Sequence, residues 1–181
     1  MKKFLMLFLV VFISVSSFAQ ERNNAIFVDV GATLVSALAG GFGTALQYER
    51  GLSENFSALF YTGLIKITMD GGRWRHDTDF LGIVAGVGMR YYPFHNPVRG
   101  WFVDVAGAYN YVKIKHGEEA ISNLFELRLL TGWKFVFRPG FFLEPGIRYT
   151  FAFGDLKLPA ITASEPKLGG LGLWIGIGWA F

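Results

Sequence analysis

Side chains able to do chemistry are sparse in this 181-residue chain and gather in two polar stretches. His76 stands near Asp77 and Asp79, and His116 near Glu118 and Glu119. Imidazole with carboxylate is a usual donor set for a zinc-type ion, so the two stretches could hold a metal if they met in space. Exposed loops are ordinarily rich in such residues, and we expect no metal. Ser122 with His116, and Glu118 or Glu119 as the orienting acid, is the one set that could supply a nucleophile and its base. No lipase-type motif surrounds Ser122, and the set lies on a predicted loop, so we expect no enzyme. Gly40-Gly41-Phe42-Gly43 loosely resembles a phosphate-cradling loop, but no helix pattern follows it, and it reads as a hairpin turn. His95 reads as a turn residue, and Asn55-Phe56-Ser57 as a chance glycosylation triplet. No catalytic, cofactor-binding or metal residue is therefore assigned.

Composition narrows the class. Hydrophobic residues make up 52% and the mean hydropathy is +0.36. No run reaches the roughly 18 apolar residues that a membrane-spanning helix needs. Apolarity without a spanning helix leaves a large buried core or a barrel whose wall faces lipid. Zero cysteines exclude a disulfide framework and thiolate metal sites. Met1 to Ala19 has the form of a secretory signal: Lys2 and Lys3, an apolar run from Phe4 to Ile13, then Ser17-Phe18-Ala19 before Gln20. The expected domains are thus a signal, 1–19, and one domain, 20–181. Without Lys2 and Lys3 the balance is 15 basic to 14 acidic residues, with no basic cluster for nucleic acid.

Beyond Ala25 the chain repeats one unit, about ten alternating residues followed by turn signals. Gly169 to Phe181 states it most clearly. Leu171, Leu173, Ile175, Ile177, Trp179 and Phe181 fall on one face; Gly170, Gly172, Gly176, Gly178 and Ala180 fall on the other, interrupted by Trp174. Successive strand residues point to opposite faces. The same pattern predicts strands over about 25–38, 42–50, 56–68, 79–92, 101–113, 123–138 and 141–153. Eight strands with short turns on one side and longer loops on the other predict an all-β, transmembrane, antiparallel up-and-down β-barrel. Both termini then lie in the periplasm. Pro145 falls inside a strand and predicts a bulge.

An eight-stranded barrel is barely wide enough for its own side chains. The faces crowded with Leu, Ile, Phe and Trp must therefore look outward, and the faces of glycine and charge inward. The expected lumen network is Asp29, Lys66, Arg90, Asp104, Glu126, Arg128, Lys134, Glu144 and Arg148. Buried charges must be paired, which predicts a plug, with Glu126, Arg128, Glu144 and Arg148 pairing across the lumen. Glu144 with Arg148 is one candidate pair. Glu49 shares the inward face but reads as a strand-end residue in water. Tyr48, Tyr91, Trp101, Phe137, Phe141, Trp179 and Phe181 would form the periplasmic aromatic girdle, and Tyr109, Tyr111, Phe125 and Phe153 the outer one.

In this pattern the chain resembles the small outer-membrane barrels, the OmpX type and the transmembrane domain of the OmpA type, more distantly the OmpW type. The resemblance implies the bacterial outer membrane, with its lipid and lipopolysaccharide as surroundings. It implies a structural or surface-interaction role, with a narrow channel for small hydrophobic molecules as the alternative; an extracellular ligand or host partner is unspecified. Some barrels of this kind modify lipid A, a second alternative that Ser122 and His116 support poorly. The resemblance also makes Ile177, Trp179 and Phe181 the signal read by the barrel-assembly machinery. Deleting Phe181 should then impair insertion more than deleting any loop, as read by the fraction of protein in the outer membrane; normal insertion of a chain ending at Ala180 would contradict this.

Overall fold

The structure, a computed structural model, describes residues 23–69, 78–94, 98–116, 118–154 and 169–181. The expected signal, residues 1–19, lies outside them, as do His76, Asp77 and His95. Eight strands account for most of the rest: β1 (Asn24–Asp29), β2 (Gly41–Gly51), β3 (Phe56–Met69), β4 (Thr78–Tyr91), β5 (Gly100–His116), β6 (Glu118–Val136), β7 (Phe141–Phe153) and β8 (Gly169–Ala180). Each pairs antiparallel with the next, and β8 pairs with β1, so the sheet closes on itself in chain order. Closure removes the sheet edges that would otherwise need partners.

The period-two pattern sorts the residues as the barrel requires. Phe60, Leu64, Ile83, Val87, Met89, Val105, Leu127, Leu129, Ile147 and Ile175 lie exposed on the outer wall. Aromatic pairs band it: Phe56 with Tyr91 and Phe137 with Phe141 at one level, Tyr109 with Phe125 at another. The inner rows are small, polar or charged. In the half of the lumen nearer the short turns they are joined by Phe27, Phe102, Phe142, Tyr92 and Trp174, all buried. That end is the tidy one. Leu52 and Ser53 amides donate to the Phe56 carbonyl across a four-residue turn, and Asn24 and Phe181 exchange both backbone hydrogen bonds.

Three features depart from the sequence reading. Residues 30–38, read as the upper half of the first strand, form a helix, α1 (Val30–Leu38). Asp29 caps it, its Oδ1 accepting from the Ala32 amide at 3.0 Å, and Gly40 ends it at a positive φ of 76°. Helical spacing puts Val30, Leu34 and Leu38 on one stripe; Leu34 and Leu38 are exposed there, while Ser36 on another stripe is buried. Second, the stretch read as a loop around residues 114–121 is mostly strand, because β5 and β6 stay in register up to His116 opposite Glu118. Third, Pro145 makes no bulge. Pairing of β7 with β6 lapses between Gly132–Gly146 and Phe135–Leu143, yet resumes in the same register. Pairing with β8 runs unbroken through Pro145 opposite Ile175. The missing amide removes hydrogen bonds on one side only and inserts no extra residue.

The helix has a consequence for the wall. β1 supports only five pairs with β2, up to Val28 opposite Leu46, and five with β8, up to Asp29 opposite Gly176. Above that level Gly41–Ala45 of β2 and Gly169–Ile175 of β8 have no strand between them among the described residues. Instead α1 occupies the seam, in contact with both.

Candidate functional site

Strand parity delivers charges to the lumen from five strands at one level. Arg90 comes from β4, Glu49 from β2, Asp104 from β5, Lys134 from β6 and Glu144 from β7, and all are essentially unexposed. The planar guanidinium of Arg90 is the hub. Its Nε and Nη2 donate to Asp104 Oδ2 at 3.3 and 2.8 Å. Nη1 and Nη2 fork onto the two oxygens of Glu144 at 2.8 and 2.9 Å, and Nη1 also reaches Glu49 Oε2 at 3.2 Å. Lys134 Nζ donates to Glu49 and lies 3.1 Å from Glu144 Oε2. Two neutral donors add to these, Tyr92 Oη to Glu49 at 2.7 Å and Trp174 Nε1 to Glu144 at 3.1 Å, while Asp104 Oδ1 is buried without a hydrogen bond.

Aromatic rings box this cluster in. The Arg90 guanidinium carbon stands 3.8 Å from the Phe102 ring centre, and Lys134 Nζ stands 4.5 Å from Phe142 and 4.9 Å from Phe27. A cation over a ring face is attracted to it, more strongly where water is excluded. Arg128 adds a third cation, 3.7 Å from Asp104, so three cations stand against three carboxylates. Each carboxylate of the cluster has at least one oxygen within 3.3 Å of a cation. What the arrangement does is fill the bore and tie opposite strands together.

The expected network members separate into three groups. Arg90, Asp104, Lys134 and Glu144 meet in the cluster, with Arg128 at its edge. Asp29, Glu126 and Arg148 lie in the upper lumen, where Arg148 donates to Asp29 at 3.2 Å and Asn110 donates to Glu126 at 3.3 Å. Lys66 is not in the lumen. It is exposed and shares the outward row of β3 with Phe60 and Leu64. Glu144 and Arg148 are not partners either. They share a strand face four residues apart, about 13 Å at the rise of a strand, and each bonds across the bore instead. Of the four charges expected to pair across the lumen, none pairs with another.

Sequence reasoning missed Glu49, taken for a strand-end residue in water and in fact fully buried. Its signal was present: it alternates with Tyr48 in register with buried Gln47. Tyr92 and Trp174 were also missed as lumen donors, although Trp174 broke the glycine row of β8. Of the other candidates, Asp79 accepts from Thr68 at 2.9 Å, and Glu119 is held by Lys113 at 2.7 Å. Ser122 is buried on the inner face of β6, opposite Val112 rather than on a loop. Register places it about 13 Å along the hairpin from the tip pair His116–Glu118, beyond hydrogen-bonding reach of one backbone position for the other.

Among solved structures the chain is similar to three small barrels. Ail, the attachment invasion locus protein of Yersinia pestis, matches with TM-score 0.50 and 12% identity over 87% of this chain and 97% of that one. Neisserial surface protein A matches with TM-score 0.46 and 15% identity over 87% and 94%. The N-terminal β-barrel domain of Pseudomonas aeruginosa OprF matches with TM-score 0.46 and 13% identity over 90% and 100%. No protein-family model matches the chain, and no curated protein matches it by sequence. The likeness is one of fold, that of the eight-stranded outer-membrane β-barrel.

The geometry ranks the ion pairs. Arg90→Met would leave three buried carboxylates facing Lys134 and Arg128, and should cost on the order of 3–5 kcal/mol. Arg148→Ala removes a cation that is 34% exposed, and should cost under about 1 kcal/mol once solvent screening is allowed for. Urea unfolding of the two variants in lipid vesicles checks the order; equal midpoints would contradict it.

Proposed function

We propose that this protein is an integral outer-membrane barrel with a structural and surface-interaction role, closed to through-passage. The single observation that carries the reading is the buried, ion-paired cluster around Arg90. It joins β2, β4, β5, β6 and β7 across the bore, and its charged side chains and the rings around them are buried. The apolar outer wall with its aromatic bands supports a lipid setting, since a soluble barrel would turn that face inward.

Orientation follows from loop length. The short-turn end, which carries both Asn24 and Phe181, is assigned to the periplasm, and the opposite end to the exterior. On that assignment the outward parts of β5 and β6 are an exposed hairpin; among the described residues these are the longest strands, 17 and 19 residues. Lys113, Lys115 and Glu119 present charge of both signs there. A partner is expected to engage this hairpin, not the lumen. The narrow-channel alternative would require the Arg90 cluster to part. Lipid A modification would require a catalytic set that the geometry of Ser122 does not favour.

Two measurements test the reading. Purified protein in planar bilayers should show little or no ion conductance, and large, steady conductance would defeat it. The chain has no cysteine, so single substitutions report topology cleanly. Lys115→Cys should react with a membrane-impermeant maleimide on intact cells, whereas Ser53→Cys in the short turn should react only after permeabilisation. The reverse pattern would overturn the orientation.

A further inference from the structure

The upper seam leaves backbone groups without a ladder, and the register fixes their direction. Asn24 and Phe181 exchange both backbone hydrogen bonds. Along an antiparallel strand, residues that bond to one neighbour alternate with residues that turn to the other. On β8 the amides and carbonyls of Leu171, Leu173 and Ile175 therefore point into the seam. On β2 the Gly51 amide donates to the Asn23 carbonyl, so the same groups of Gly41, Gly43 and Ala45 point into it from the other side. Ser36 Oγ of α1 meets the Gly43 carbonyl from that direction, at 3.4 Å. No strand lies between the two edges among the described residues. The edges also stand open. Leu171 and Leu173 are 75% and 79% exposed, against 50% for Ile147 and 39% for Phe151 on adjacent β7.

The segment in the seam has a poor helical sequence. Of its nine residues, Val30, Thr33 and Val35 are β-branched and Gly31 is glycine. As a continuation of β1 it fits better. Ala25, Phe27 and Asp29 are the buried row of β1, so parity would send Gly31 and Thr33 into the lumen and Val30, Ala32 and Leu34 toward lipid. Each row then has the residue types that its side of the wall requires. The existing registers extend without a shift. Val30, Ala32 and Leu34 fall opposite Ile175, Leu173 and Leu171, and Gly31 and Thr33 fall opposite Gly43 and Gly41. These partners are residues whose backbone groups already point into the seam. Five hydrogen-bonded pairs with two bonds each make about ten ladder bonds, whereas nine helical residues make about five.

We infer that residues 30–34 are a switch, part of α1 where water reaches the upper seam and a strand that completes β1 where hydrocarbon covers it. In water the edge groups are solvated, and the ladder gains little over the helix. The helix keeps its Asp29 cap and the bond from Thr33 Oγ1 to the Asp29 carbonyl at 3.1 Å. In hydrocarbon no solvent replaces the missing ladder, and each open group is costly. The depth of the apolar layer therefore sets the state, because a thicker bilayer reaches further up the wall. As a helix the segment leaves β2 and β8 unjoined above Asp29. As a strand it seals the wall. The switch works in either orientation of the barrel, and with or without a partner on the hairpin.

The test compares the full protein, isotope-labelled at Val30, Ala32 and Leu34, in vesicles of didecanoyl- and of dioleoyl-phosphatidylcholine. Cα chemical shifts should be helical in the thin bilayer and strand-like in the thick one, with the strand population at least tenfold higher there. Gly43→Ala should bias the balance. A Cβ at Gly43 would stand 2.8 Å from Ser36 Oγ and 2.9 Å from Ser36 Cβ, contacts made by the helix; its 2.9 Å contact with Ile65 is common to both states. The variant should raise the strand population in the thin bilayer at least threefold. A cross-link reads the state independently. In the strand Ala32 faces Phe42 at a non-hydrogen-bonded position, with about 4.5 Å between Cα atoms, which suits a disulfide. In the helix Ala32 borders the lumen while Phe42 is exposed on the outer wall. Ala32→Cys with Phe42→Cys should therefore oxidise with copper phenanthroline at least tenfold faster in the thick bilayer. Helical shifts in both bilayers would overturn the switch. So would strand shifts in both, which would make the segment a fixed part of β1, and so would equal oxidation rates.

Discussion

The fold rests on getting six charges into the middle of a narrow barrel without leaving any unpaired. A carboxylate or guanidinium taken out of water costs several kcal/mol unless partners replace the lost hydration. Here the replacement is nearly complete around Arg90, whose donors meet Asp104, Glu144 and Glu49. Tyr92 and Trp174 supply the hydrogen bonds that cations cannot reach, and Phe27, Phe102 and Phe142 exclude water from the rest. Because the partners come from five strands, the cluster demands one register and one closure. A slip of one residue would turn each charge into the lipid. The ion pairs therefore specify the barrel as much as they stabilise it.

The same constraint explains the contrast between the two halves of the lumen. Near the short turns, rings and charges fill the bore. Toward the other end the side chains shrink, Arg128 is left with donors to spare, and space opens. The wall changes at that height too. β1 gives way to α1 directly after Asp29, the residue that both caps the helix and accepts from Arg148. A helix satisfies its own backbone inside a low-dielectric wall, so it can stand in the seam where a strand would otherwise be required. It cannot pair with the strand edges beside it. The join is consequently weaker there than around the rest of the barrel.

Much of this was legible in the residues. Alternation assigned the strands and separated the lipid face from the lumen, because a strand's side-chain period is two whatever its neighbours are. It could not say which charges would meet, since that depends on stagger between strands. Glu144 and Arg148 looked like partners by sequence proximity, whereas the shear of the barrel sends each across the bore. Lys66 was placed inside by a one-residue error of parity, and its outward row with Phe60 and Leu64 corrects it. Glu49 was underrated because its position near a turn suggested water, but Tyr92 and Lys134 close over it. The helix was hidden because Val30 to Leu38 also alternates. Asp29 as cap and Gly40 as terminator were the signals against a strand, and the glycines were taken for a hairpin instead.

The central claim is that Arg90 and its carboxylates act as one unit. A double-mutant cycle tests it most directly, with Arg90→Met, Glu144→Gln and the pair compared by urea unfolding in lipid vesicles. If the guanidinium and carboxylate hold each other as described, the double variant should be more stable than the sum of the single losses implies, by about 2 kcal/mol. Additive losses, within about 0.5 kcal/mol, would show that the two residues stabilise the barrel independently and would contradict the account.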